Sequence, residues 1–491
     1  MRLRHLLLGT GCCLGTLVVR SQTNILELTL DQTIEWAREQ SPDARAARHT
    51  YRAAYWNYKS YQANYLPSLT LSSNPGLSHE FTNIPQDGGG FVTAEQNYLS
   101  TNLALSLSQN IALTGGTFSV SSNLGRLDDF IKEQVTWQTV PVSVNYTQSL
   151  LGYNSLKWNR RIEPIRYAEA KKSYVETLEL VAAEATRQFF ALATAQTNLE
   201  IARTNYANAD TLYIYAQGRY NIGTITENEM LQLEVNRLTE ETNLMNAQID
   251  VENATLQLCS YLGIQENVTL HVRVNEQVPG LQIDLPAALS MARANSPEML
   301  SMRLRQLQGQ STVAQARANA GLRADLSLSF GLSQSNEKLN LAYRKLSNMQ
   351  RVSVGIMLPV LDWGRGKGNI RVARSQLDLI NSQVEQEKVD FDQNVRKLVM
   401  QFNLQARRVK VAARTDETAQ RRADVARRLY LLGKSTVLDL NASITEKDKS
   451  RRDHISALYT YWNLYYTLRS LTLYDFEQSR ELTENLEILI K

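Results

Sequence analysis

Five stretches of the chain contain no Asp, Glu, Lys or Arg: residues 60–79, 96–125, 134–156, 326–336 and 352–361. In a chain that is 21% charged, such gaps mark segments withheld from an ordinary solvated surface. Inside them apolar residues alternate. Leu103, Leu105, Leu107 and Ile111 take one parity, while Ala104, Ser106, Ser108 and Asn110 take the other. Val142, Val144, Leu326, Leu328, Phe330, Val352, Val354 and Ile356 follow the same rule. A period of two in Val, Phe, Leu and Ser predicts β-strands. One apolar face and one uncharged face of Ser, Asn and Gln suits a wall between lipid and water. Tilted strands of roughly ten residues are long enough to cross a bilayer. A soluble β-sandwich is the alternative, although its wet face would normally carry Lys or Glu.

Between these stretches the period lengthens. Residues 155–217 hold one proline, Pro164, and no glycine. Leu178, Ala185, Leu192, Leu199 and Tyr206 are spaced by seven, and so are Val181, Gln188, Ala195, Ala202 and Ala209. Two such seams predict a coiled-coil helix, with Ala permitting close approach of its neighbours. A helix of this length measures about 95 Å. Val395, Leu398, Phe402, Val409, Ala412 and Ala419 repeat the pattern less cleanly. A returning helix carries Val235, Thr242, Ile249 and Leu256 on one seam, with Leu231, Leu238, Met245 and Cys259 near the other. Cys259 therefore reads as packing rather than chemistry. The turns between the helix pairs are Tyr220-Asn-Ile-Gly-Thr-Ile-Thr226 and Tyr430-Leu-Leu-Gly-Lys-Ser-Thr436. Gly223 and Gly433 suit helix C-caps, and Thr226 and Thr436 suit N-caps. Glu227, Glu229 and Asp439 follow in the first turn, where they favour the helix dipole.

The chain is internally duplicated. Leu30, Ala37, Arg38, Ser41 and Pro42 recur as Leu285, Ala292, Arg293, Ser296 and Pro297, an offset of 255. Farther along, Val142-Ser-Val144 matches Val352-Ser-Val354, Arg161 matches Arg371, and Tyr220-x-x-Gly223 matches Tyr430-x-x-Gly433, an offset of 210. The first copy thus carries about 45 extra residues between Leu71 and Val142. They hold an additional hairpin pattern over residues 96–126, with Thr114-Gly-Gly-Thr117 as its turn. This hairpin lengthens the wall of strands, caps it, or folds into its mouth.

Composition narrows the function. Arg2 and Arg4 precede an apolar run over residues 6–19, and Val19 and Ser21 suit a signal-peptidase site, so the chain reads as exported. Lipidation at Cys12 or Cys13 fits the flanking residues poorly. Removing this segment brings the net charge of +4 near +1 and leaves Cys259 alone, without an intramolecular disulfide. A nearly neutral chain is not a dedicated nucleic-acid binder. Five scattered histidines form no metal site, and the reading includes no cofactor. Gly433-Lys434-Ser435 ends like a phosphate-binding loop, but Arg428 stands where the earlier glycine is needed. Gly364-Arg-Gly-Lys-Gly368 reads as a strand-to-helix turn rather than an anion nest. No nucleophile elbow or Cys-x-x-Cys occurs, so the chain does not read as an enzyme. Tyr55, Trp56, Tyr58, Tyr61 and Tyr65 form either an interfacial aromatic belt or a packed cluster.

Together these features resemble the outer membrane factor family, the TolC-like ducts of efflux pumps and type I secretion systems. The motifs carrying the resemblance are the repeated Ser-Pro helix, Leu358-Pro-Val-Leu-Asp-Trp-Gly364 after a strand, and the paired tips ending in Thr436-x-x-Asp439. The resemblance implies a mainly helical fold with duplicated helical hairpins, and four or more strands per chain in a trimeric twelve-stranded outer-membrane barrel. It also implies a homotrimer in outer-membrane lipid, a periplasmic adaptor, and an inner-membrane pump of the RND or ABC type. The helix tips would close the duct. Asp439 matches the family's acidic gate position and Glu229 is its counterpart in the first copy, while the second acidic position falls on Ala442. Tyr220, Gly223, Thr226, Tyr430, Gly433 and Thr436 would dock the adaptor. A pore-free periplasmic coiled-coil scaffold is the alternative.

The expected organisation is a signal peptide (1–21) and a first equatorial segment with its helix (22–66). First-copy barrel strands (67–152) and a long helical hairpin (153–262) follow, then a second equatorial segment (263–285). The second copy supplies a helix (286–324), strands (325–361) and a hairpin (362–472) before a C-terminal tail (473–491).

Overall fold

The computed structural model describes residues 24–85, 89–264, 268–432 and 434–490. The expected signal segment, with Cys12 and Cys13, lies outside the described residues, as does Gly433. The first copy runs β1 (Asn24–Leu28), α1 (Leu30–Gln40), α2 (Pro42–Ala63), β2 (Ser68–Ser73), β3 (Gly76–Pro85), β4 (Phe91–Ile111), β5 (Gly116–Asp129), β6 (Gln134–Ser149), α3 (Ser155–Asn221) and α4 (Glu227–Leu262). The second runs β7 (Val268–Val272), α5 (Leu285–Asn295), α6 (Pro297–Ala320), β8 (Arg323–Asn336), the short α7 (Leu339–Ala342), β9 (Ser347–Met357), α8 (Arg365–Leu431) and α9 (Val437–Thr472). A small hairpin, β10 (Tyr474–Asp475) and β11 (Arg480–Glu481), follows. All five charge-free stretches fall on strands of one sheet or on their immediate flanks.

The sheet is antiparallel, in the order β2-β4-β5-β6-β8-β9, with β3 also on β4. β2 and β3 occupy successive stretches of the same β4 edge, split at Asn74 and Pro75, so the seven strands make six staves. Proline, which cannot donate a ladder hydrogen bond, is tolerated on such an edge. Pro141 in the interior β6 sits at an irregularity in the register with both neighbours, which serves the same purpose. The additional hairpin is therefore part of the sheet, as β4 and β5 between β2 and β6. Its turn occupies residues 112–115, two residues ahead of the expected Thr114–Thr117. Gly115 takes φ +79, and its amide donates to Ile111 O at 2.8 Å. Gly116 already belongs to β5, where a Cβ would collide with Gln148 Oε1 and lie 2.8 Å from Thr147 O. Beyond Tyr98, β3 and β4 continue as a two-stranded ribbon that carries Glu80 and Glu95.

The chain divides into two compact units. The first holds residues up to 44, 181–280 and 405–463. Here β1 and β7 pair in parallel, and Leu28, Leu270 and Val272 are buried. Gln196 clamps β7 by donating to Leu270 O at 2.8 Å and accepting from the Val272 amide at 3.2 Å. Ala195, Ala202, Ala209 and Ala216 are buried at heptad spacing along α3, as the seam required. On α4 both predicted seams are largely exposed: Leu231, Val235, Leu238, Met245, Ile249 and Leu256 lie at the surface of the single chain. Cys259 is the exception and is buried.

The second unit holds residues 45–180, 281–404 and 464 onward, with the sheet. The aromatic run on α2 packs against α3: Tyr58 stacks on Tyr167 with centroids 4.5 Å apart, and the Tyr51 and Tyr167 hydroxyls are 3.1 Å apart. Trp56 alone of that run is largely exposed. Asn403 holds Ile283 through two 2.9 Å bonds, a second amide clamp. The C-terminal tail is fixed by Arg469, whose guanidinium meets Glu179 at 2.9 Å and Asp475 at 3.2 Å while Tyr465 donates to Asp475 at 3.0 Å. Glu179 and Asp475 are 2% and 3% exposed. Arg469→Ala leaves both carboxylates buried without that guanidinium and should cost about 3–5 kcal/mol. Thermal unfolding of the purified protein, followed by circular dichroism, checks this, and an unchanged midpoint contradicts it.

Candidate functional site

Two surfaces are built for function: the two faces of the sheet and the two helix tips. The register separates the faces. Leu69, Leu107, Val120, Val144 and Phe330 lie in one row across five staves and end at Gln350. The adjacent row of opposite parity reads Ser68, Ser108, Ser119, Asn145, Ser329 and Arg351. Side chains link this polar face. Ser68 and Ser108 hydroxyls are 2.8 Å apart, as are those of Ser121 and Ser143, and Ser329 donates to Asn145 Oδ1 at 2.7 Å. The opposite face is apolar and exposed. Such a sheet separates hydrocarbon from water. No helix among the described residues is long and apolar enough to cross a membrane.

The tips repeat each other at the offset of 210. At the first, the Thr224 amide bonds Arg219 O at 2.9 Å, and Gly223 takes φ +72. At the second, the Lys434 amide bonds Leu429 O at 2.9 Å. These six-to-one bonds end α3 and α8 in the same way. Each return helix then starts on a threonine. Thr226 Oγ1 accepts from the Glu229 amide at 3.3 Å while Glu229 accepts from the Thr226 amide at 3.2 Å, a capping box. Thr436 Oγ1 accepts from the Asp439 amide at 3.1 Å, and its hydroxyl donates to Asp439 Oδ2 at 2.7 Å. The side-chain bond from Thr436, aided by its backbone amide, holds the Asp439 carboxyl below the usual carboxylate range. Both acidic groups are exposed, as are Tyr220, Thr226 and Thr436, while Tyr430 is half-buried. Burial pushes the Tyr430 phenol up; Arg219 opposes this and Glu229 adds to it, so the two tips share one electrostatic neighbourhood. Ile222, Leu432 and Leu438 leave apolar surface open there.

The sequence did not reveal how fully the acidic residues are engaged by their caps, although the Thr-x-x-Glu and Thr-x-x-Asp spacing carries that signal. The Gly364–Gly368 turn joins β9 to α8, with Asp362 accepting from the amides of Gly364 and Gly366 at 2.9 and 2.8 Å. A carboxylate thus already fills the nest. The cap geometry predicts that Thr436→Ala weakens the second tip by about 1 kcal/mol, a roughly five-fold faster amide exchange at the start of α9. Because the Asp439 pKa is depressed in the fold, its contribution is complete above the ordinary carboxylate range. It is lost as pH falls through the depressed value. Hydrogen exchange of tip peptides between neutral and acid pH measures both effects, and identical exchange in the variant contradicts the first.

The chain matches the model of the outer membrane efflux protein family over residues 33–264 and 288–472. No curated protein sequence matches it. Solved structures share the fold at low identity. CmeC, the outer membrane channel of Campylobacter jejuni, is 16% identical with a TM-score of 0.66, over 94% of this chain and 88% of that one. The outer-membrane channel OprN is 15% identical with a TM-score of 0.66, over 90% and 89%. The outer membrane protein VceC of Vibrio cholerae is 15% identical with a TM-score of 0.62, over 90% and 95%. Duplicated hairpins, a sheet with one apolar face and a family match spanning both copies lead to one conclusion: the chain belongs to the outer membrane efflux protein family, with its sheet in the outer membrane and its long helices in the periplasm.

Proposed function

We propose that the protein is the passive exit duct of a tripartite efflux pump or type I secretion system, working as a homotrimer and catalysing no reaction. The observation that carries this reading is the apolar stripe left open on α4. Leu231, Leu238 and Met245 are 47%, 49% and 53% exposed, whereas Leu178, Ala185, Leu192, Ala195, Ala202 and Ala209 of the α3 seams are buried. A heptad seam facing water is a seam awaiting a neighbour. Further copies supply that neighbour and curve the helical hairpins into a hollow cylinder. The stoichiometry of three follows the family resemblance. A pore-free scaffold accounts less well for a sheet whose polar face is mainly uncharged Ser, Thr and Asn.

Gating belongs to the tips. Asp439 and Glu229 line the periplasmic constriction, where carboxylates of several copies concentrate cations. A periplasmic adaptor docks at the tips, on Tyr220, Gly223, Thr226, Tyr430 and Thr436, with Gly433 the sequence counterpart of Gly223. Exposed Ile222, Leu432 and Leu438 give it apolar area to bury. An inner-membrane pump of the RND or ABC type then drives cargo through the adaptor.

The gate assignment is tested by the double variant Glu229→Gln, Asp439→Asn in planar bilayers. Cation-over-anion selectivity should fall by roughly two- to ten-fold as the local field weakens. Unchanged conductance and selectivity would remove both residues from the pore. Photo-crosslinkers at positions 220 and 430 should capture a periplasmic adaptor in cells, and labelling without any such product contradicts the docking surface.

A further inference from the structure

We infer that each chain contributes six staves to the membrane wall, so that three copies close an eighteen-stranded barrel rather than a twelve-stranded one. This rests on the homotrimeric reading above. The argument starts with the additional hairpin, β4 and β5. It is paired along most of its length on both sides, to β2 and β3 through β4, and to β6 through β5. A plug or a cap would leave β2 beside β6, and it is not there. The hairpin also continues both faces of the sheet without interruption. Leu107 and Val120 fill the apolar row between Leu69 and Val144, and Ser108 and Ser119 fill the polar row between Ser68 and Asn145. A strand in a plug has no lipid face, whereas here Leu103, Leu105 and Leu107 are 42%, 43% and 44% exposed, matching 41% and 36% for Val142 and Val144.

The turn end of the hairpin is anchored to the connections that lead into the helices. Gln109 donates to Tyr65 O at 2.7 Å and Asn110 to Asn64 O at 3.0 Å. On the other side Gln148 donates to Thr114 O at 2.7 Å. The hairpin is thus built into the wall where the wall joins the helices.

The two free edges identify the occupant. Apolar residues on the edge staves are much more open than those inside: 66% and 67% for Leu69 and Leu71, and 64%, 54% and 71% for Val352, Val354 and Ile356. That excess is what one more neighbouring strand covers. Unpaired backbone groups are not tolerated against hydrocarbon, so the edges must be satisfied. A second copy presents the complementary partner, its β2–β3 edge meeting β9 of the first. Neighbouring strands are about 4.8 Å apart and tilt by about 40°, so each stave takes roughly 6 Å of circumference. Twelve staves then give a diameter of about 24 Å and eighteen about 36 Å, because width grows almost linearly with strand number.

The test uses the full chain with Cys12, Cys13 and Cys259 replaced by Ala, reconstituted in outer-membrane-type lipid. A nitroxide at Ser143→Cys reports its distance to the same site on the other copies. Three equivalent points on an eighteen-stave wall lie about 31 Å apart, and on a twelve-stave wall about 21 Å. A second label at Leu105→Cys should be as accessible to oxygen in the lipid as one at Val144→Cys. Native mass spectrometry of the same samples gives the copy number. Trimers with the longer distance and an oxygen-accessible Leu105→Cys label support the inference. Trimers with the shorter distance, or with that label shielded, overturn the inference and leave the trimeric duct standing. A single-copy mass overturns both.

Discussion

An open β-sheet cannot end in hydrocarbon, and that constraint shapes the rest of this molecule. Each free edge presents a row of N–H and C=O groups, and each group costs several kcal/mol where no water can pair with it. A sheet of six staves has two such edges and too little width to close on itself around a channel. The same logic reaches the helices, since α4 keeps Val235 and Ile249 at the surface. Strand edges and helix seams therefore make the same demand, for a neighbour to cover them. Stability cannot be assigned to one chain in isolation when its apolar surface is designed to be shared.

The inserted hairpin shows how such a wall can grow. Antiparallel staves alternate in direction, so adding one would send the following helix out of the opposite side of the membrane. Adding two preserves direction, and β6 still delivers the chain into α3 as β9 delivers it into α8. The insert must also keep parity, because a slip of one residue turns every lipid-facing side chain inward. The unbroken rows from Leu69 to Phe330 meet that condition. The irregularity at Pro141 lies in β6, outside the new hairpin, so the β4–β5 ladder runs without a break.

Much of this was legible in the sequence, for identifiable reasons. Alternation in Leu103, Leu105 and Leu107 and heptads in Ala195, Ala202 and Ala209 are local patterns, and local patterns fix element type. Pairing order is not local, so the place of the hairpin became visible only in the ladder. Its turn was displaced for a similar reason. Gly115 is required by its positive φ, whereas Gly116 is required by the crowding of Gln148 and Thr147, which come from a distant strand. Heptads on α4 predicted a seam but not whose helix fills it, because periodicity does not distinguish a chain from its copies. The aromatic run from Tyr55 to Tyr65 suited both lipid interface and core, and the partner that places Tyr55 and Tyr58 in a packed cluster, Tyr167, lies about a hundred residues away.

At the tips, two readings of the acidic residues first look exclusive: a carboxylate that caps a helix, or one that lines a gate. The geometry removes the conflict. Capping uses only some of the lone pairs on Asp439, and the bonds from Thr436 that hold it also favour its ionised form. A group fixed in place and kept negative well below neutral pH is better suited to act on passing ions than a free side chain, which would average its position. The cap supplies the scaffold for the charge, and the duplication supplies it twice in each chain. The polar rows of the sheet are mostly Ser and Asn, with the cation Arg351 at the β9 end of one of them. The proposed gate thus adds negative charge at the helical end, which the Ser and Asn rows of the sheet do not supply.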